Sequence, residues 1–534
     1  MPPESVTPPS ATKAPSVLKA AGLIAAVTLV AKAMGALRDW QIFHVYGASL
    51  ATDAYFAATQ IPAYALVLLG GLGGPFHTLT VRLLALITPT DNADTPTSHS
   101  AQQTVIHQLH GMTLLVFGVA SLALWAFAPQ VMQTLLPGAA PSLVTLATEH
   151  LRWMARMVVF GGMIGISYGV LNVYHVYLWP SLAPAVMSAL LMVMLWLGPK
   201  DAGGVILAWS TTLGAIAQWG LQLPSMLRLK FTPFRATILP QWDKAFWRQV
   251  GELLIPLMIG TTIGQLITMV DMSFVRHLDE GGWSAIVLSN RLLQLPIGVL
   301  QTALLVPIFP RFTQAAARND TAQIQRDTVL GISLLWLVCV PLLVVLWCFA
   351  GPLISVLFEG GQFDATDTRL VTLALVFQAF QMLPYFARDT ITRIFYAYGD
   401  TMTPVWVGLI AIGLKFCLNW LLVQRFGLGG ITLATTLITF INAVVLWVWL
   451  RKHIKLQVGA LLTEGLRLGL AAAGMAATLF GLQQVWTLPV SGAKLALLLS
   501  VAGMSGVGLG VFLGLAWLLR SSGIGQLQQR LIKK

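Results

Sequence analysis

Long apolar stretches, separated by short polar connections, follow one another along nearly the whole chain. An α-helix needs about 20 apolar residues to cross the hydrocarbon core of a bilayer. The pattern therefore predicts an all-α polytopic membrane protein with about 14 transmembrane helices. The predicted spans are 17–46, 52–87, 103–128, 147–172, 179–198, 203–228, 249–277, 284–308, 327–350, 368–396, 403–424, 429–450, 465–485 and 493–519.

A short motif occurs twice and divides these spans into two halves. The segment AATQIPAYAL contains Pro62, and RLLQLPIGVL contains Pro296, which aligns Gln60 with Gln294. Because six spans separate the copies, both halves have the same orientation and the repeat axis runs along the membrane normal. We expect two pseudo-symmetric six-helix bundles around a central cavity. Both prolines are predicted helix bends, although proline is also simply frequent in membrane helices.

The predicted organisation has five parts. They are a disordered cytoplasmic tail at 1–16, an N-terminal six-helix bundle at 17–228, an amphipathic cytoplasmic linker at 229–248, a C-terminal six-helix bundle at 249–450, and two additional helices with a basic tail at 451–534. Most Lys and Arg residues outside the spans lie in both tails and in the even-numbered connections. The positive-inside rule therefore predicts that both termini are cytoplasmic.

Composition and the absence of known motifs exclude several classes of function. The chain has 534 residues, of which 56% are hydrophobic and 10% charged, and this excludes an ordinary soluble domain. The net charge of +12 follows mostly from the topology and suits anionic lipid headgroups rather than nucleic acid. The sequence has no Gly-Lys dipeptide, hence no Walker A loop, and it lacks the GxSxG and HExxH motifs. We expect neither an enzyme nor a bound metal or cofactor.

Charged residues inside the apolar spans are the candidate functional groups. A charge at the centre of a membrane helix costs about 3 kcal/mol or more, so it is normally kept for a ligand or a pathway. Arg291 lies with Gln294 in the span 284–308. The same reasoning selects Arg38, Asp39, Asp53 and Asp271. The alternative for Arg38 and Asp39 is that they reach the membrane interface from the end of their helix.

Four blocks, in the same order along the chain, resemble the MurJ (MviN) family of lipid II flippases, which belongs to the MOP superfamily together with the MATE exporters. They are AMGALRDWQIFHVYGASLATDAYF at 33–56, NRLLQLPIGVLQTALLVPIFPRF at 290–312, LFEGGQFDATDT at 357–368 and FYAYGDTMTPV at 395–405. The resemblance covers almost the entire chain. It implies a flippase that moves lipid II from the cytoplasmic to the outer leaflet by alternating access, in a bacterial plasma (inner) membrane.

The resemblance also implies roles for basic residues. Lys32, Arg38 and Arg291 would bind the substrate's pyrophosphate, with Gln294 beside them, although Lys32 stands where the family usually has Arg. A lysine provides a point charge but not the bidentate fork of an arginine. On a straight helix Arg38 lies about 120° from the stripe that carries Lys32. A bend near Gly35 is therefore expected.

Acidic residues would hold those cations in place or close a gate. The resemblance implies this gating or ion-pair role for Asp39 and Asp53, and we group Asp271 with them. The segment from Glu359 to Asp367 is predicted to be an outer gate turn. Lys415 either lines a lipid-tail groove or reaches lipid phosphate by snorkelling.

Two basic residues are missing from the family pattern. Leu66 and Val67 follow Pro62 where the family usually carries a basic pair. A flippase for another polyprenyl-diphosphate-linked oligosaccharide thus remains an alternative. A MATE-like exporter of cationic drugs is a third possibility, but its cavity should present unpaired carboxylates, and a scaffold role without transport also stays open. Expected partners are the lipid-linked glycan, membrane lipids and cell-wall synthesis proteins, with membrane potential or an ion gradient as the driving force.

Overall fold

The computed structural model describes residues 17–71, 74–87, 96–199, 201, 203–233, 244–452, 454, 458–486 and 494–525. The predicted tail at 1–16, positions 234–243 of the predicted linker and the final segment 526–534 lie outside these residues. The predictions for them therefore remain predictions.

The first half of the chain is helical throughout its described length. Its helices are α1 (Val17–Tyr46), α2 (Leu50–Gly70), α3 (Pro75–Ile87), α4 (Pro96–Met112), α5 (Gly118–Ala126), α6 (Ala128–Leu135), α7 (Pro141–Met154), α8 (Met157–Val173), α9 (Leu178–Leu197), α10 (Val205–Gly220) and α11 (Leu223–Arg228). A π-helical turn, Thr113–Phe117, joins α4 to α5.

The second half continues in the same way. Its helices are α12 (Lys244–Met272), α13 (Gly282–Leu300), α14 (Val306–Ala317), α15 (Thr321–Phe358), α16 (Ala365–Ala379), α17 (Met382–Ala397), α18 (Met402–Leu450), α19 (Val458–Val485) and α20 (Lys494–Leu518). A second π-helical turn, Gln301–Leu305, joins α13 to α14. The first turn of α12 includes residues 244–248, which had been assigned to the linker.

The predicted membrane spans agree with these helices. Within the described ranges, nine helices are long and apolar enough to cross a bilayer, or ten if the pair α16 and α17, bent by 44°, forms one span. Helix α18 contains two predicted spans, because its 49 residues are interrupted at Gly427, where φ is 51° and ψ is −126°. The other predicted spans each overlap one helix or a run of consecutive helices.

Two predicted segments have internal detail that the hydrophobic pattern did not show. The span 52–87 agrees with the candidate membrane span Leu50–Ile87, but it contains two helices, since α2 ends at Gly70 and Gly71 is extended, with φ −72° and ψ 148°. Glycine disfavours helix because it loses the most backbone freedom, and this stretch is rich in it. The polar stretch 88–102 is not entirely a loop, because α4 already begins at Pro96; proline is favoured in the first turn of a helix.

The predicted bends lie inside continuous helices. Helix α1 runs through Gly35, α2 through Pro62 and α13 through Pro296. In α13 the regular hydrogen bonding changes only after Leu300, where the π-helical turn begins. The bending role of these three residues stays a prediction.

Helix packing produces two bundles and a peripheral pair. In the first bundle α1 and α10 pack on α9, and α2 packs on α7 and α8; in the second α12 and α17 pack on α18, and α13 and α15 pack on α16. Helices α19 and α20 pack on each other and on α15, around Phe349, Met475 and Phe512. The bundles meet where α2 contacts α12 and α13. The candidate site lies along this junction.

Helices α2 and α8 approach each other through glycine. A Cβ at Gly165 would lie 2.0 Å from the Leu69 carbonyl oxygen, and a Cβ at Gly70 would lie 2.7 Å from the Gly161 carbonyl oxygen. Small residues allow membrane helices to pack at such short range. The packing of α2, which carries part of the site, therefore depends on this contact.

We expect Gly165→Ala to destabilise the protein by about 1–3 kcal/mol, because the added methyl must displace backbone. Thermal unfolding in detergent measures this loss. The matched control is Gly413→Ala in α18, whose Cβ would meet nothing within 4 Å. That variant should keep or raise the unfolding temperature, since Ala is the better helix former. Equal unfolding temperatures would contradict the close approach of α2 and α8.

Candidate functional site

A cavity of about 480 Å³ lies in the second bundle where Gln60 of the first bundle borders it, and it is called here the polar cavity. Amide and hydroxyl groups form much of its wall, together with four charged residues and several apolar ones. The amide residues are Gln60, Gln265, Asn290, Gln294, Gln378, Gln381 and Asn442, and the charged residues are Asp271, Arg291, Arg388 and Lys415. Gln60 and Gln294, the aligned positions of the internal repeat, both line it.

A second cavity of about 480 Å³ borders α1 and α13 and is called here the α1–α13 groove. Lys32, Gly35, Arg38 and Asp39 line it from α1. Arg291 and Gln294 line both this groove and the polar cavity, so the two spaces adjoin at these residues. The structure thus brings together all four residues predicted to bind substrate.

Asp39 is shared by two arginines. Its Oδ1 accepts hydrogen bonds from Arg38 Nε at 3.0 Å and Nη2 at 2.8 Å, and also from Arg291 Nη1. Asp39 is buried, whereas 34% of the Arg291 side chain is exposed. Because one carboxylate balances two guanidinium groups, the cluster retains excess positive charge. Charge-assisted bonds of this kind suit a phosphate-bearing ligand.

Two further contacts position the basic side chains. The Arg291 guanidinium carbon lies 4.8 Å from the centre of the Phe56 ring, a cation–π distance. Lys32 Nζ lies 3.1 Å from the place that a Cβ would take at Gly298 on α13. Lys32 and Arg38 therefore reach one groove from an unbroken α1, and no helix break at Gly35 is needed to bring them there.

Asp53 lies outside the cavities and joins the bundles. Its carboxylate oxygens accept hydrogen bonds from the backbone N–H groups of Gly281 at 2.8 Å and Ser284 at 2.7 Å. These groups lie at the N-terminus of α13, where a negative charge is favourable. Gly281 has φ +82°, and a Cβ there would lie 2.1 Å from the Ala48 carbonyl oxygen. Asp53 on α2 thus caps a helix of the other bundle.

The turn between α15 and α16 makes a second contact of this type. Asp367 Oδ2 accepts a hydrogen bond from Ala48 N at 3.0 Å, and Gln362 N donates to His44 O at 2.9 Å. The Phe363 ring packs edge-on against Phe43, with 5.9 Å between ring centres. The predicted gate turn therefore contacts the end of α1. We call the Asp53 and Asp367 contacts together the closed end.

Asp271 has a different partner from the other predicted acidic residues. Its Oδ2 accepts a hydrogen bond from Lys415 Nζ at 2.8 Å, and its Oδ1 accepts one from Asn419 Nδ2 at 2.8 Å. Lys415 also donates to Thr435 Oγ1 at 3.0 Å and is only 1% exposed. The prediction that Lys415 snorkels to lipid phosphate was therefore wrong, because its ammonium is buried in an ion pair.

Sequence reasoning missed part of the cavity wall. Arg388 was not among the residues selected from the sequence, but it lines the polar cavity and lies over the Tyr385 ring at 4.8 Å. Val67, at one of the positions where a basic pair was expected, lines a smaller adjoining cavity with Arg291, while Leu66 lies against Gly161 of α8. The repeated Gln-x-Pro motif was the one sequence signal that pointed to the amide wall.

Comparison with known proteins gives the family. The family model described as "Lipid II flippase MurJ" matches residues 42–500. The chain belongs to the MurJ lipid II flippase family. It is 29% identical over 443 residues to a probable lipid II flippase MurJ of Synechocystis sp., covering 80% of this chain and 81% of the relative. It is 25% identical over 431 residues to the lipid II flippase MurJ of Burkholderia cenocepacia, covering 79% and 82%.

Solved structures share the fold. A lipid II flippase MurJ in an inward closed conformation matches with a TM-score of 0.75 at 19% identity, over 92% of this chain and 98% of that one. An inward-facing MATE multidrug resistance transporter of the MOP superfamily matches with a TM-score of 0.62 at 14% identity, over 80% and 93%. The expected all-α architecture of the MurJ and MATE proteins is confirmed.

We expect Asp53→Ala to increase hydrogen–deuterium exchange at the Gly281 and Ser284 amides, because both lose their acceptor. Loss of a capping carboxylate typically costs about 0.5–2 kcal/mol. The matched control is Asp320→Ala, which removes a cap that accepts from Gln323 N within the second bundle. That control should leave exchange at residues 281–284 unchanged. Equal exchange in Asp53→Ala and wild type would contradict the assigned role of Asp53.

Proposed function

We propose that this chain moves lipid II from the cytoplasmic to the outer leaflet by alternating access of its two bundles. Family membership supports this function, and one structural observation carries it: Arg38 and Arg291 share the single carboxylate of Asp39 beside two adjoining cavities. A diphosphate has more than one negative charge and can satisfy guanidinium donors that one carboxylate leaves available. Lys32 adds a third cation in the same groove.

The two cavities suit the two parts of such a substrate. The diphosphate would lie at Arg291, where the α1–α13 groove adjoins the polar cavity. The sugar and peptide groups would extend into the polar cavity, because its amide and hydroxyl wall provides donors and acceptors to replace water. The polyprenyl tail is apolar and would stay in the lipid. The protein thus supplies polar surroundings to the one part of the substrate that hydrocarbon excludes.

Alternating access requires one end of the molecule to open and close. We assign the closed end to the outer side, because the positive-inside rule predicts cytoplasmic termini and α1 then ends outside. Opening would break the contacts of Asp53 with α13 and of Asp367 with the end of α1. We place the protein in the bacterial inner membrane, with membrane potential or an ion gradient as its driving force and cell-wall synthesis proteins as its neighbours.

Another polyprenyl-diphosphate-linked oligosaccharide remains the second candidate, because Val67 places an apolar side chain in the cavity beside Arg291. The arginine cluster would bind either diphosphate. A MATE-like exporter of cations is less suited to this site. Among the described residues, the carboxylates that line the two large cavities are Asp39 and Asp271, and both are paired with cations of the chain.

We expect the wild-type chain to restore growth of a bacterium depleted of its own lipid II flippase, and Arg291→Ala to abolish this rescue. The reason is that truncation removes the cation common to both large cavities. Arg38→Ala should weaken rescue, because it removes one of the two guanidinium groups that share Asp39 in the α1–α13 groove. Growth at matched membrane levels of each protein is the measurement.

Arg156→Ala is the matched control. Arg156 also lies 4.8 Å from an aromatic ring, that of Trp153, but it is not among the residues lining these cavities. The Arg156→Ala variant should therefore restore growth as well as the wild type does. Full rescue by Arg291→Ala would refute the site while leaving the function intact. Failure of well-expressed wild type would favour a different lipid-linked glycan.

A further inference from the structure

Lys415 is a charged residue that the proposed binding cluster does not use. It is 1% exposed and borders the polar cavity, in the part of α18 that precedes Gly427 and near the middle of the predicted span 403–424. Ionisable residues at such positions are expensive to bury and commonly mark ion pathways or counter-ions in transporters. The question is which ionic role this ammonium takes.

Two oxygen atoms accept hydrogen bonds from the ammonium, and Asn419 adjoins the residue that carries one of them; Asp271, Asn419 and Thr435 are called here the cage. Asp271 Oδ2 and Thr435 Oγ1 accept its hydrogen bonds at 2.8 and 3.0 Å. Asn419 donates to the second carboxylate oxygen of Asp271, and its own Oδ1 is buried without a hydrogen-bond partner in the described structure. Carboxylate, hydroxyl and amide oxygens are also the ligands that hard metal cations prefer. The cage therefore has the chemistry of a monovalent cation site, and Lys415 Nζ is hydrogen-bonded to two of its oxygens.

Asp39, the other carboxylate that lines the large cavities, offers no comparable site for a free cation. Asp39 already accepts hydrogen bonds from Arg38 and Arg291, so a cation there would have to displace a guanidinium. Asp53 lies apart from the cavities, held by backbone N–H groups. In the part of the chain that the structure describes, Asp271 is thus the cavity carboxylate best placed to bind a coupling cation, and a lysine occupies it.

We infer that the Lys415 ammonium is a built-in cation, which fills the Asp271–Asn419–Thr435 cage and makes Na⁺ or K⁺ binding there unnecessary. A tethered charge cannot exchange with the solution. The cage therefore contributes no energy from a Na⁺ or K⁺ gradient. The second bundle has the same internal charge whether the protein is open to the cytoplasm or to the outside. This inference deepens the proposed flippase function and rests on it for its meaning in transport.

Cation binding by the purified, detergent-solubilised full chain tests this role. NaCl or KCl is titrated against choline chloride at constant ionic strength while the unfolding temperature is followed. A ligand that binds only the folded state stabilises it saturably. We expect no specific effect of Na⁺ or K⁺ on the wild type. Lys415→Ala should unfold at lower temperature in choline and regain stability saturably with Na⁺, because the vacated cage accepts the ion.

Two variants assign that response to the cage. Asp271→Asn combined with Lys415→Ala should lose the Na⁺ response, since the cage then has no charge. The control is Lys494→Ala, which removes an ammonium that donates to Glu359 O and is not part of the cage. Its unfolding temperature should show no specific response to Na⁺, like that of the wild type. A saturable Na⁺ or K⁺ response in the wild type would overturn the inference, and this holds even if Lys415→Ala fails to fold.

A folded Lys415→Ala protein without a Na⁺ response would overturn it too, because the oxygens would then not form a cation site. These measurements detect ion binding and not transport. Their failure is therefore distinct from failure of the rescue experiment, which tests the flippase function itself.

Discussion

The cost of burying charge in an apolar chain governs this structure. Each acidic residue predicted to matter is satisfied within the protein: Asp39 by two arginines, Asp53 by two backbone N–H groups and Asp271 by a lysine and an amide. A buried carboxylate without such partners would cost several kcal/mol. The positions of these partners determine where the bundles meet and where the cavities retain positive charge, and they decide which contacts would break if the bundles moved apart.

The partners of these carboxylates belong to different parts of the fold, and this separates their roles. Asp39 and Asp53 bond to α13 of the other bundle, whereas Asp271 bonds only to α18 of its own bundle. Movement of the bundles would therefore disturb the first two and leave the third intact. The proposed roles in binding, closure and internal charge balance thus belong to three different acidic residues, which the sequence alone grouped together.

Much of the fold could be predicted from the sequence, because hydrophobic length is a local property. The ends of α1, α9 and α20 agree with the predicted ranges to within one residue. The intramembrane charges also selected Arg38, Asp39 and Arg291, which lie together in one ion-paired cluster. Partner choice could not be predicted, since the Asp271–Lys415 pair joins residues 144 positions apart and the Asp53–Ser284 pair joins residues 231 apart. Arg388 was missed because a helical span gives no indication of which face meets a cavity.

The shared carboxylate of Asp39 has a consequence for the surrounding membrane. Ordinary phospholipids vastly outnumber any lipid-linked precursor, and most carry a single phosphate. To occupy the arginines, a headgroup must compete with a carboxylate that is covalently part of the chain and already in contact with both. A lone phosphodiester offers about the same charge as that carboxylate and gains little by the exchange, whereas a diphosphate offers more. On the proposed function, Asp39 would thereby set a threshold of negative charge that a headgroup must exceed to bind in the groove.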